Sequence, residues 1–185
     1  MIVVERGMKP IVWIAILILA VILISSCTSR QGGKTVEEAE KPLDVDAEIA
    51  EIKGIISKYA QAVNDDNVDT NLASRIWSNE ADVSFIHPRG HEHGWEQIKT
   101  NFYEKTMRDN FSERKLDIHD IVVHAHKDWA WVEFYWDFAA KLRSDGSAIT
   151  TKGRESEVYE KSERGWKLVH VHYSGMPVTG KRQGF

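Results

Sequence analysis

The chain is predicted to be an α+β protein, with helices first and a curved antiparallel sheet wrapped around them. Three observations predict it. Ile49, Ile52, Ile56, Tyr59 and Val63 recur at spacings of three and four, the mark of one buried helix face. From Lys115 to Ser174 the chain turns to β-branched and aromatic segments of alternating character. Asp145-Gly146 and Glu163-Arg164-Gly165 separate those segments as hairpin turns. Helices followed by a meander exclude the regular βαβ alternation of a parallel sheet.

The first helix begins near Asp46. Asp44 or Asp46 can cap it, and Glu48 and Glu51 suit its positive end. The polar run Asn64-Asp65-Asp66-Asn67 stops it. A second helix is expected over Val68–Trp77, with Leu72 and Ile76 inward. A short strand follows over Asp82–Ile86. It ends at His87-Pro88, because proline keeps the residue before it extended. Trp95, Ile98 and Phe102 mark a third helix from Gly94 to about Met107. Strands are expected at Lys115–His126, Trp129–Ala140, Ile149–Lys161 and Trp166–Ser174. A strongly twisted sheet around a helical hairpin leaves a pocket at its open end.

Ahead of this domain, Arg6 and Lys9 precede 14 unbroken apolar residues, Ile11–Ile24, and then Ser25, Ser26 and Cys27. A basic start, a short apolar run and a small-residue end read as a secretory signal over residues 1–26. A spanning helix needs about 20 apolar residues. Ile24-Ser25-Ser26-Cys27 resembles the lipobox of bacterial lipoproteins. That resemblance implies that the Cys27 thiol receives a diacylglycerol, that cleavage leaves Cys27 as the new N-terminus, and that palmitate is among the attached lipids. The expected location is then the bacterial cell envelope, anchored to a membrane and facing the periplasm or the exterior. Residues 27–43 are polar and read as a flexible tether, 44–178 as the domain and 179–185 as a tail.

Composition narrows the function. The formal charge is −4, and residues 1–26 hold Glu5, Arg6 and Lys9, a sum of +1, so the rest carries −5. A mildly acidic domain without a Lys/Arg cluster is a poor nucleic-acid binder. Cys27 is the one cysteine, which excludes an internal disulfide and a multi-cysteine zinc site. No glycine-rich phosphate loop is present, and no cofactor is expected.

Several motifs occur together and in order. Trp77-Ser78-Asn79-Glu80-Ala81-Asp82-Val83-Ser84-Phe85-Ile86-His87-Pro88, Gly90 and Gly94-Trp95-Glu96-Gln97-Ile98 resemble SnoaL-like proteins of the nuclear transport factor 2-like superfamily, relatives of ketosteroid isomerase. Gly153-Arg154 and the ending Gly165–Gly175 resemble the last two strands of that group. The resemblance covers about residues 46–178. It implies a cone-shaped α+β barrel that commonly dimerises through its sheet, so a homodimer is expected. Members include isomerases, cyclases, dehydratases and oligomerisation modules, so the site must decide the function.

Candidate site residues follow from alternation along strands. His170 and His172 share a face with Trp166 and Leu168, and would look into the cavity if that face is concave. There they could exchange protons near neutral pH or hydrogen-bond a ligand. The alternative is a pair of histidines hydrogen-bonded for the fold alone. Glu133 shares a face with Trp131, Tyr135 and Asp137. It is a general-base candidate if that face is a cavity wall, and an ordinary wet-side acid otherwise. His87 is placed at the pocket rim, and Tyr59, Trp77, Trp95 and Trp166 are candidates for ligand-lining residues. Three His-x-His pairs (His91/His93, His124/His126, His170/His172) could each give a metal two ligands, but no third ligand is evident and no metal is expected. Three functions stay open. The first is a membrane-anchored domain binding a small apolar or amphipathic molecule. The second is an isomerase, cyclase or dehydratase using His170, His172 or Glu133 as proton carrier. The third is a protein-interaction module.

Overall fold

The computed structural model describes residues 42–176. The expectations for the signal, Cys27, almost all of the tether and the C-terminal tail lie outside these residues. Among the described residues no helix is long and apolar enough to cross a membrane.

Helix α1 spans Val45–Asn64. Asp44 caps it by accepting a hydrogen bond from the Ala47 amide at 3.2 Å. It buries Ile52, Ile55, Ile56, Tyr59, Ala62 and Val63, the face predicted by periodicity. Helix α2 is shorter than expected, Thr70–Ile76. Asp69 caps it and fixes its start, accepting from the Leu72 amide at 2.8 Å. Strand β1 (Ser84–His87) and strand β2 (Gly90–His93) form a hairpin across Pro88-Arg89, so β2 lies where only a polar turn was expected. The third helix, α3, starts at Gly94–Gln97 and continues as a π-helix over Ile98–Arg108. Four long strands follow: β3 (Phe111–Ala125), β4 (Trp129–Leu142), β5 (Ala148–Ser162) and β6 (Gly165–Gly175).

The six strands form one curved sheet in the order β2-β1-β6-β5-β4-β3. The sheet is mixed, because β1 runs parallel to β6 while the other neighbours are antiparallel. It is an open cone and not a closed barrel, since β2 and β3 are its two edges. The inner face packs on the helices. Ala130, Val132, Phe134, Trp136, Phe138 and Ala140 alternate inward along β4, while Trp129, Glu133, Tyr135 and Asp137 face out.

Arg114 ties α1 to the sheet. It is 9% exposed, and all five of its N–H donors reach backbone carbonyls: those of Val63, Asp65, Asp66, Met107 and Phe111, at 2.6–3.0 Å. Three of those carbonyls belong to the end of α1 or the turn after it, where the helix dipole is negative. Asn64 adds a stitch of backbone-like geometry, donating to the Leu116 carbonyl at 3.0 Å and accepting from the Leu116 amide at 2.6 Å.

Candidate functional site

Between α1, the π-helix and the inner face of the sheet lies a cavity of about 320 Å³. That is within the range of small-molecule sites. Most of its wall is apolar: Val63, Phe102, Met107, Phe111, Phe138 and Ile149. Pro88, Arg89 and Gly175 form an exposed margin. Polar groups enter the wall at Tyr59, Trp136, Glu155 and Tyr173, and at Thr106, Thr151 and Lys152.

Strand β5 supplies the chemistry. Gly153, Glu155, Glu157 and Tyr159 alternate inward along it. Gly153 is required by close packing, because a Cβ there would lie 2.2 Å from the Ser174 carbonyl and 2.4 Å from the Trp136 ring. Glu155 is 6% exposed and Glu157 is fully buried. Each has one carboxyl oxygen, Oε1, without a hydrogen-bond partner. The other oxygen of Glu157 accepts from the Tyr159 hydroxyl at 2.5 Å. Burial raises both carboxyls above the ordinary range. The Glu157 charge raises Glu155 further, while the Tyr59 hydroxyl acts in the opposite direction. The indole N–H of Trp136 is likewise buried and unpartnered. Tyr173 packs edge-on against Trp136, with ring centroids 5.7 Å apart. Its hydroxyl is pushed up to about 12, chiefly by burial, so it stays a donor at any ordinary pH.

The histidines of β6 point elsewhere. In the β5–β6 ladder Tyr159 pairs with Leu168, and the next pair is Val158 with His170, so Val169 is an extra residue in a β-bulge. The bulge shifts the alternation by one. Trp166 and Leu168 face the core before it, and Val171 and Tyr173 face inward after it. His170 and His172 therefore lie on the outer face, opposite to the expectation from strict alternation. His170 is half-buried and shares a hydrogen bond with the Ser84 hydroxyl at 2.7 Å. Burial lowers its pKa, and the neighbouring His172 and His91 lower it further. Glu133 is also on the outer face. It meets His172 in a groove of about 430 Å³ together with Asp120, Arg154 and Ser156; Glu155 lines both this groove and the inner cavity.

The remaining candidates divide. Tyr59 lines the cavity. His87 is not among the lining residues, although Pro88 next to it is; it is stacked on Tyr173 at 6.0 Å and lies 3.4 Å from the Glu92 carboxylate. Trp77, Trp95 and Trp166 are core residues outside the cavity wall. Trp77 donates to the Tyr103 hydroxyl at 3.0 Å, Trp95 packs on Tyr103, and Trp166 donates to Glu48 at 2.7 Å. Among the described residues no group of three histidines, cysteines or acids is gathered to hold a metal. Sequence reasoning did not single out Glu155, Glu157 or Trp136. The signal available was the register that Glu155 and Glu157 share with Tyr159 and Gly153.

The family model of the SnoaL-like domain matches residues 52–179. A nuclear transport factor 2-like superfamily protein from Salmonella enterica is 39% identical, with a TM-score of 0.73, and the match covers 76% of this chain and 99% of that one. A hexachlorocyclohexane dehydrochlorinase is 17% identical, with a TM-score of 0.61, over 77% of this chain and 98% of that one. The association domain of C. elegans CaMKII is 20% identical, with a TM-score of 0.55, over 70% and 96%. The last two likenesses concern the fold alone. Comparison with curated proteins gives no match.

Proposed function

The chain belongs to the SnoaL-like domain family of the nuclear transport factor 2-like superfamily, and on that premise we propose that its inner cavity binds a small, largely apolar molecule whose polar group meets Glu155. Proteins of this fold include dehydratases and association domains, so the reading rests on the site. One observation carries it: Glu155, an almost fully buried acid with one carboxyl oxygen lacking a partner, is among the residues that line an apolar cavity. Leaving a buried polar group unsatisfied costs about 1–3 kcal/mol, which a ligand hydrogen bond would offset.

A second reading, proton-transfer catalysis, is favoured by a specific feature. Glu155 and Glu157 share one buried region, and Tyr59 adjoins them. A carboxyl held protonated by burial can give or take a proton near neutral pH, as a general acid or base must. The proton carrier in this reading is Glu155, in place of His170, His172 or Glu133.

Titration with N-phenyl-1-naphthylamine, a neutral apolar fluorophore, tests the binding reading. We expect saturable enhancement, lost when Thr151→Trp fills the cavity wall and weakened severalfold by Glu155→Ala. Enhancement indifferent to both substitutions would place the probe elsewhere and sink the proposal.

The lipid anchor at Cys27 and the envelope location belong to this proposal, supported by the signal and lipobox pattern. So does a homodimer. Trp129, Tyr135 and Val122 are 47%, 42% and 48% exposed on the outer sheet face, which suits pairing with a second copy. Sedimentation of the intact protein reads that state, and a monomer at micromolar concentration would remove the dimer from the proposal.

A further inference from the structure

The polar wall of the cavity is rich in donors. Trp136 lines it and has a buried N–H with no partner, and Tyr173 lines it with a hydroxyl that does not ionise at ordinary pH. Arg89 lines the same cavity at its exposed margin. Its side chain has no ion-pair partner among the described residues, and its charge is close enough to act on the Tyr173 phenol. Glu155 lies opposite Tyr173 in the β5–β6 ladder, so it belongs to the same group. Val63, Met107, Phe111 and Phe138 bring no charged side chain to the wall, and Arg114 behind them is spent on backbone carbonyls.

From this segregation we infer that the ligand is an amphipathic monocarboxylate, with its anionic head set among Arg89, Tyr173 and Trp136 and its apolar body packed toward Phe111 and Phe138. The inference rests on the cavity being the binding site. One guanidinium and two neutral N–H or O–H donors match one negative charge with several acceptor lone pairs. A phosphate dianion fits worse, because the group holds one cation, Arg89. Lys152 also borders the cavity, but alternation turns its side chain outward, opposite Asp137. A sugar or a nucleotide would need polar partners along the whole wall, and most of the wall is apolar. Burial raises the Glu155 carboxyl above the ordinary range, which favours its protonated form beside an anionic head.

The experiment compares 2-naphthoate with 2-naphthamide, which have the same ring system and nearly the same shape. Calorimetric titration uses the full-length protein at pH 6.5. We expect naphthoate to bind at least tenfold more tightly. Arg89→Gln should abolish that difference while leaving the naphthamide affinity within about twofold, and Trp136→Phe should weaken naphthoate severalfold. Equal affinity for the two compounds overturns the carboxylate inference and leaves the cavity reading intact. A preference that survives Arg89→Gln in a protein of unchanged melting temperature also overturns it. Absence of binding by both compounds, or binding untouched by Thr151→Trp, removes the cavity reading and this inference with it.

Discussion

A carboxyl buried in an apolar wall changes how the whole protein responds to pH. In the unfolded chain Glu157 loses its proton near its ordinary value of 4.5, whereas in the folded state burial keeps the proton on to higher pH. The folded state therefore binds the extra proton throughout that window. Stability falls as pH rises from about 4.5 to the raised folded value, and is level above it. Glu155 contributes with the same sign. Glutamine imitates the protonated acid at every pH, and its amide oxygen can still accept from Tyr159. We therefore expect Glu157→Gln to melt higher than the parent at pH 8.5 and nearly level with it at pH 5, measured by circular dichroism. Each tenfold difference in proton affinity between the folded and unfolded states is worth about 1.4 kcal/mol. An equal difference at both pH values would show that the carboxyl ionises in the folded protein as it does in water.

Elements are held in register here by a few side chains. The five carbonyls around Arg114 come from α1 and its following turn, the end of the π-helix and the start of β3. Lysine keeps the charge but offers three donors from one point, not a planar fork of five. At about 1 kcal/mol for each lost hydrogen bond, and more for a carbonyl left buried, Arg114→Lys should cost about 3 kcal/mol in urea unfolding. A loss below about 0.5 kcal/mol would mean that water replaces the guanidinium without penalty. The β-bulge at Val169 acts at the same scale. It lets one strand face the core with Trp166 and Leu168 at one end and with Val171 and Tyr173 at the other. His170 and His172, which alternate with Val171 and Tyr173, are turned outward as a result. The cavity is left to the acids of β5.

At the scale of the molecule, the open cone separates two surfaces. The inner one encloses the cavity. The outer one carries the histidines stacked on aromatics: His124 on Trp131 at 3.9 Å and His126 on Trp129 at 4.2 Å. A lipid anchor joined to the domain through residues 28–43 would hold the cavity near a membrane, where amphipathic molecules concentrate. Stable anchoring requires two or more acyl chains, at about 0.8 kcal/mol for each buried CH₂. We expect the protein to fractionate with membranes and Cys27→Ser to remain unprocessed. Intact mass of the extracted protein should show loss of residues 1–26 and gain of acyl groups. A free thiol on a full-length chain would rule the anchor out.

The sequence by itself determined the order and type of most elements. Helical periodicity and strand alternation report which face of a segment must leave water, and that requirement is local. It predicted α1 and the three hairpin-connected strands β4–β6, and it separated the two faces of β4 while leaving open which one is inward. The same local rule could not find the site. Both registers of β5 carry polar residues, with Gly153, Glu155 and Glu157 in one and Arg154, Ser156 and Glu160 in the other. Taken alone, the strand does not say which acids are buried. Pairing of Glu155 with Phe134 and of Glu157 with Val132 on the core side of β4 decides it. Alternation failed for His170 and His172 for a related reason. It counts residues along one strand, whereas the extra residue at Val169 is defined only by the partner strand that skips it. The fold class follows from patterns within segments, but the inward or outward sense of a mixed strand is fixed by its neighbours, and only the tertiary structure supplies those.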